Sequence, residues 1–154
     1  MANAYEKAVY FGIIAGMRSM SAPAIVSDHY SKERSSEVDD SRLSFMASPT
    51  SAIALKVMAA GELAADKSAF IPNRIDPGPL AFRAISGAVC GATICKAENE
   101  QVNIGALTGG LAAIASAFTC YYIRRKLGEN TDIPDLMLGL AEDAVVIGVG
   151  TRIL

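Results

Sequence analysis

The 154-residue chain has no tryptophan, only five phenylalanines and five tyrosines, one histidine and three cysteines. So few aromatics exclude a core built on large rings. The apolar half of the sequence, 51% of its residues, is carried mostly by small and aliphatic side chains, which suit close helix contact better than water-driven burial. Three cysteines (Cys90, Cys95 and Cys120) cannot complete a set of disulfides, and each lies in an apolar, helix-like run, so they read as small hydrophobes in a reducing or lipid setting. Fourteen lysines and arginines against sixteen aspartates and glutamates leave no basic excess for nucleic acid. No HExxH, CxxC, GxSxG or Walker pattern occurs, and the single histidine, His29, sits in a polar stretch. Metal hydrolysis, triad acyl transfer and nucleotide binding therefore lack a motif, and neither a cofactor nor an enzymatic activity is expected. Strand-period alternation of useful length is also missing, which leaves helices.

What is present is long and apolar, with a mean hydropathy of +0.30. Val102 to Ile123 runs 22 residues without a charge, ends in Tyr121 and Tyr122, and is followed by Arg124, Arg125 and Lys126. That length spans about 30 Å of hydrocarbon, and an aromatic-then-basic edge marks a membrane interface. Four further segments share the composition but carry charges: residues 8–27, 49–71, 80–95 and 134–154. A charge at bilayer depth is costly enough that it faces a partner or a water-filled cavity. The polar stretch 28–45 is expected to be a solvated loop, and the Pro-rich turn around Pro72, Pro77 and Pro79 an extended connection. The first segment resembles a signal sequence in its apolar run, but Glu6 cancels Lys7 and Arg18 interrupts the run, so it is expected to remain attached. A soluble bundle is the competing reading, and it requires 102–123 to be a buried core helix.

Two stretches align without gaps at small residues. Gly12, Gly16 and Ala24 match Gly105, Gly109 and Ala117, and the helices that follow match Glu62 with Glu142. With one helix between the copies, the second would be inverted, the arrangement of many transporters. Glycines four apart (Gly12/Gly16, Gly87/Gly91 and Gly105/Gly109) let backbones touch, within one chain or across a homodimer, and a homodimer is expected.

The charges inside these segments are the candidate functional residues. Glu62 and Asp66 share a helix face, and Glu142 and Asp143 are adjacent; enclosed in a helix bundle, they could bind and release protons or cations. Alternatively they are fixed ion pairs with Arg18, Lys56, Lys67 or Arg83. Arg18 lies beside Ser19 and before Pro23, which should kink or break the first helix, making an ion site or a partner for Glu62 or Glu142. Arg74 and Arg83 flank the Pro-rich turn, where two guanidinium groups could grip a lipid phosphate or another anion.

Four motifs together resemble a bacterial membrane family catalogued as domain of unknown function 4126. They comprise Gly16, Arg18, Ser19, Pro23 and Ala24; Gly61, Glu62, Leu63, Asp66 and Lys67; Pro72, Arg74, Pro77, Gly78, Pro79, Leu80, Arg83, Ser86, Gly87, Ala88, Gly91 and Ala92; and Leu140, Glu142, Asp143, Ile147 and Gly148. The resemblance covers nearly the whole chain except the 28–45 stretch, and it implies a small integral protein of the bacterial inner membrane, with no activity attached. The sequence thus predicts an all-α membrane bundle of five spans, as two inverted two-helix repeats around the third helix, in contact with membrane lipids. The expected function is passage of a small ion or solute, and the alternative is a structural or lipid-binding membrane subunit.

Overall fold

A computed structural model describes residues 3–33, 35–65, 75–130 and 135–154, and every regular element among them is helical. Helix α1 (Ala4–Met17) opens on a capping box: the Asn3 side chain accepts from the Glu6 amide, and the Glu6 carboxylate accepts from the Asn3 amide. It stops at Arg18, whose backbone is extended, and α2 (Ser21–Lys32) begins three residues later. Pro23 explains the stop. In a continuous helix its ring would collide with the Ser19 carbonyl and its missing N–H would break the ladder, whereas in the first turn of α2 both are tolerated. The single first segment expected over 8–27 is therefore two helices, broken where Pro23 dictates.

The polar stretch 28–45 is more ordered than its composition predicts. Helix α2 runs on to Lys32, supported by an Asp28–Lys32 pair one turn apart. A single turn, α3 (Ser36–Asp39), and a 3₁₀ turn (Ser44–Ala47) follow, and they bury Val38, Met46 and Ala47 against the core. Three apolar side chains are enough to dock this otherwise charged segment.

Helix α4 (Pro49–Ala65) starts where expected, while the end of that segment falls outside the described residues. Helix α5 (Pro77–Ala97) opens with proline in its first turn. It closes with Asn99 at φ 57°, the Glu100 amide donating to the Cys95 carbonyl and the Asn99 amide to that of Lys96. That tight cap turns the chain directly into α6 (Val102–Asn130), which continues seven residues beyond the expected span and carries Arg124 to Lys126 as helix. Helix α7 (Asp135–Ile153) ends the chain.

Helices α1, α5 and α6 form the centre, and α5 against α6 is the most extensive contact. The seam is made by glycine. Backbone of Gly87 and Gly91 lies directly on backbone of Gly109 and Gly105, and α1 places Gly12 on Gly109 and Gly16 on Ala113 and Ser116. All six of these glycines are buried within the chain, so this face is not available to a second copy. Helix α4 packs on α2, and α7 touches α1, α2 and α6 less extensively.

The core mixes small side chains with a few large ones such as Phe11, Met46 and Ile94, and much of the large apolar surface lies outside it. Ala4, Ala8, Ala15, Ala22, Ala113 and Ala117 are interior, while large apolar side chains on α1, α4, α5, α6 and α7 point outward; Ile53 and Val57 are 65% and 66% exposed. Among the described residues two helices, α5 and residues Val102–Leu127 of α6, are long and apolar enough to cross a membrane. With only a third of its apolar window buried, α6 is not an enclosed core helix.

Candidate functional site

Breaking a helix frees backbone groups that a continuous helix would pair, and away from water each must find a partner. At the α1–α2 break those partners are charged side chains from other helices. Arg83, on α5 and only 7% exposed, donates from Nη1 to the carbonyls of Gly16 (2.7 Å) and Met17 (2.9 Å), the last two of α1. On the other side of the break, Glu62 from α4 spreads its carboxylate over two amides. Ser19 N donates to Oε1 at 3.0 Å and Met20 N to Oε2 at 2.8 Å. A guanidinium thus answers the negative end of α1 and a carboxylate answers the turn ahead of α2, each with the sign the helix termini favour.

Arg18 lies in the break itself. Its side chain, 4% exposed, crosses to α7 and places Nε 2.7 Å from Oδ1 of Asp143. One residue earlier on α7, Glu142 is held by a two-pronged pair from α6: Arg124 Nε donates to Oε1 at 3.0 Å and Nη2 to Oε2 at 2.8 Å. The two arginines converge at Gly139, one turn back along α7. Arg18, Arg83, Arg124, Glu62, Glu142 and Asp143 make three positive and three negative charges, one from the break itself and the others from four helices, α4, α5, α6 and α7.

These placements correct several expectations. Arg18 was expected to neutralise Glu62 or Glu142, and it pairs with Asp143 instead; Glu62 is bound by backbone amides, and the partner of Glu142 is Arg124. Which of two adjacent residues on α7 meets Arg18 depends on the rotation of that helix, and a helix apolar on every side does not announce its rotation. Arg83, expected at a lipid-facing surface, is buried against α1. Lys56 pairs with Asp28 at 2.6 Å, away from the carboxylates. Asp66 and Arg74, and with them the expected pairing of Lys67, fall outside the described residues. Arg124 was read as part of an interfacial basic cluster, and the available signal was that Glu142, inside an apolar helix, needed a cation one helix away. Gly12, Gly16, Gly87, Gly91, Gly105 and Gly109 serve the packing described above. Where the first stretch of the aligned pair breaks at Pro23, its counterpart in α6 has Ser116 and continues unbroken, with Ser116 Oγ donating to the Ile13 carbonyl at 2.9 Å.

Among the described residues, no group of three or more His, Cys, Asp and Glu side chains is placed to hold a metal ion. Buried guanidinium and backbone donors facing carboxylate acceptors can exchange partners and can hold a charged guest, but carry no nucleophile with an activating base.

Comparison with curated proteins and with solved structures returns no match. The family model described as Domain of unknown function (DUF4126) matches residues 8–152, and it spans all four charged positions that join at the break, Arg18, Glu62, Arg83 and Asp143. Nearly the whole length is covered, so the chain belongs to the DUF4126 family.

Proposed function

We propose that this is an integral membrane protein that passes a small ion or solute beside the broken first helix. The observation that carries the reading is the break itself, whose backbone ends are held by buried charges from other helices. Discontinuous helices with polar ends turned toward a central site are how many transporters build a binding position at membrane depth. The glycine contacts among α1, α5 and α6 and the many exposed large apolar side chains support the setting, since both suit helices bathed in lipid. Five crossings fit that reading: α1 with α2 as far as Ser27, then α4, α5, α6 and α7. At 1.5 Å per residue, the 17 residues of α4 and the 19 of α7 come close to bilayer thickness. In this arrangement Glu62 and Glu142, one on each outer helix, govern the passage, Glu62 held by the Ser19 and Met20 amides and Glu142 by Arg124, while Arg18 pairs with Asp143 beside them.

Flux of ions, protons included, through purified protein in sealed liposomes tests the reading. Wild-type flux should exceed that of empty liposomes and fall sharply in the Glu62→Gln, Glu142→Gln double variant. Unchanged flux in an inserted, folded double variant removes the carboxylates from the pathway, and no wild-type flux removes transport. A second reading draws on the two-pronged Arg124–Glu142 pair, whose geometry suits a fixed helix clamp. On that reading the protein is a structural membrane subunit, and the same substitutions weaken the fold without changing any flux.

A further inference from the structure

Near the start of α7, arginines from two other elements meet over one glycine. A side chain built on Gly139 would begin 3.5 Å from Nη2 of Arg124 and 3.7 Å from Nη2 of Arg18, and among the described residues nothing else lies within 4 Å. The two guanidinium nitrogens are therefore at most about 7 Å apart, across a notch that exists because position 139 carries no side chain. Charge-assisted N–H···O bonds run at about 2.8 Å, so one carboxylate or phosphate group can reach both donors at once. The planar fork of guanidinium fits such oxygens two at a time, and Arg124 already demonstrates that geometry with Glu142. Arg18 meets the carboxylate of Asp143 through one ion-pair contact, Nε to Oδ1.

We propose that this notch binds a small oxyanion, carboxylate or phosphate, which exchanges with the resident carboxylates of Glu142 and Asp143 on the two arginines. The proposal rests on the transport reading in that it names the class of solute moved. Arg18, Arg124, Glu142 and Asp143 balance one another in charge; phosphate enters with its own counter-ion, and a carboxylic acid that arrives in its neutral form keeps that balance unaided. Its anion takes the guanidinium fork and its proton passes to the carboxylate it displaces, so no net charge enters the site. Helix α7 suits such an exchange, because its packing against the bundle is sparser than that among α1, α5 and α6.

The test is saturable stabilisation of the purified full chain, stripped of phospholipid in detergent, by sodium acetate and by inorganic phosphate, each against sodium chloride at matched ionic strength. A guest that binds only the folded protein raises the melting temperature in proportion to its occupancy. Both probes should do so for the wild type, and the apparent affinity should fall about tenfold or more in Gly139→Leu, which fills the notch. Gly139→Ala, whose methyl group stands at ordinary contact distance from both arginines, keeps the fold secure and should give an intermediate loss. Phospholipid that resists removal from the wild type but is released by both variants identifies a lipid headgroup as the natural oxyanion and also supports the notch. Neither retained phospholipid nor a saturable shift, or a shift equal in wild type and both variants, overturns the proposal. Liposome flux separates the two readings: anion binding without flux keeps the notch and removes transport, whereas cation flux without anion binding keeps transport and removes the notch.

Discussion

Replacing Gly109 by alanine should be far more damaging than the same replacement at Gly61, and the structure sets the size of the difference. A methyl group on Gly109 would fall on the Gly87 carbonyl oxygen, 3.0 Å from its carbon and 3.4 Å from the Ala8 carbonyl oxygen. All three atoms are backbone, so no flexible side chain can swing aside. To regain contact distance α5 and α6 must separate by about 1 Å, a gap that forfeits a quarter to a half of each dispersion contact along the seam. Overpacking of this kind costs up to about 3 kcal/mol, offset by about 1 kcal/mol of helix propensity gained by losing a glycine, for a net loss near 2 kcal/mol. Among the described residues nothing lies within 4 Å of a side chain built on Gly61, so Gly61→Ala retains only the gain. Because the two substitutions are chemically identical, their effects on the unfolded chain cancel in the comparison. The variants should differ by about 3 kcal/mol, or about 6–12 °C in melting temperature for a chain of this length. Thermal melts of both variants in one detergent, followed by far-ultraviolet circular dichroism, read that difference. If the two melt together, the glycine seam is not what holds α5 against α6.

Substituting Arg83 by methionine keeps the apolar stem but leaves the Gly16 and Met17 carbonyls buried without their donor, and should cost about 3 kcal/mol in denaturant unfolding; Arg83→Lys should recover part of it, and a methionine variant as stable as wild type would refute the capping role. At the edge of the bundle, hydrogen bonds from Lys32 and then Lys56 hold the Asp28 carboxyl below its ordinary value of 3.8. A depressed folded-state pKa stabilises the fold in full above the ordinary value, and that contribution is lost as pH falls through the lowered one. Melting temperature should therefore decline in acid more steeply for the wild type than for Asp28→Asn, and parallel curves would show that the lysines do not stabilise the carboxylate.

The sequence carried the positions of the helices well and their partners poorly. Uncharged length located α6, and Pro23 located the break, because both are properties of one segment. The identity of the residue facing Arg18 depends on how α7 is rotated, and that rotation is fixed by contacts with Arg124 and the α1–α2 turn rather than by any pattern within α7. Arg83 was misplaced for a related reason. Near the start of its own helix it looks interfacial, but α1 ends at its level, so the terminal carbonyls of α1 draw it inward. In the stretch 28–45, composition points to solvent, and Tyr30 and Val38 are too few to outweigh it in any sequence average.

The cost of the break bears on what it is for. A continuous helix through Arg18 to Met20 would pair its own backbone and would need neither Arg83 nor Glu62 to complete it. Instead the chain sets Pro23 where the helix must stop, then brings a guanidinium from α5 to one exposed end and a carboxylate from α4 to the other, and ties the residue between them to α7. Burying Arg18 and Arg83, and half-burying the charges around them, is unfavourable beside the apolar packing that could replace them. Stability alone therefore gives no reason to keep the arrangement. The proposed passage of a small ion or solute would give one, because a broken helix exposes main-chain polar groups inside an apolar bundle and charges from its neighbours hold them ready for a guest.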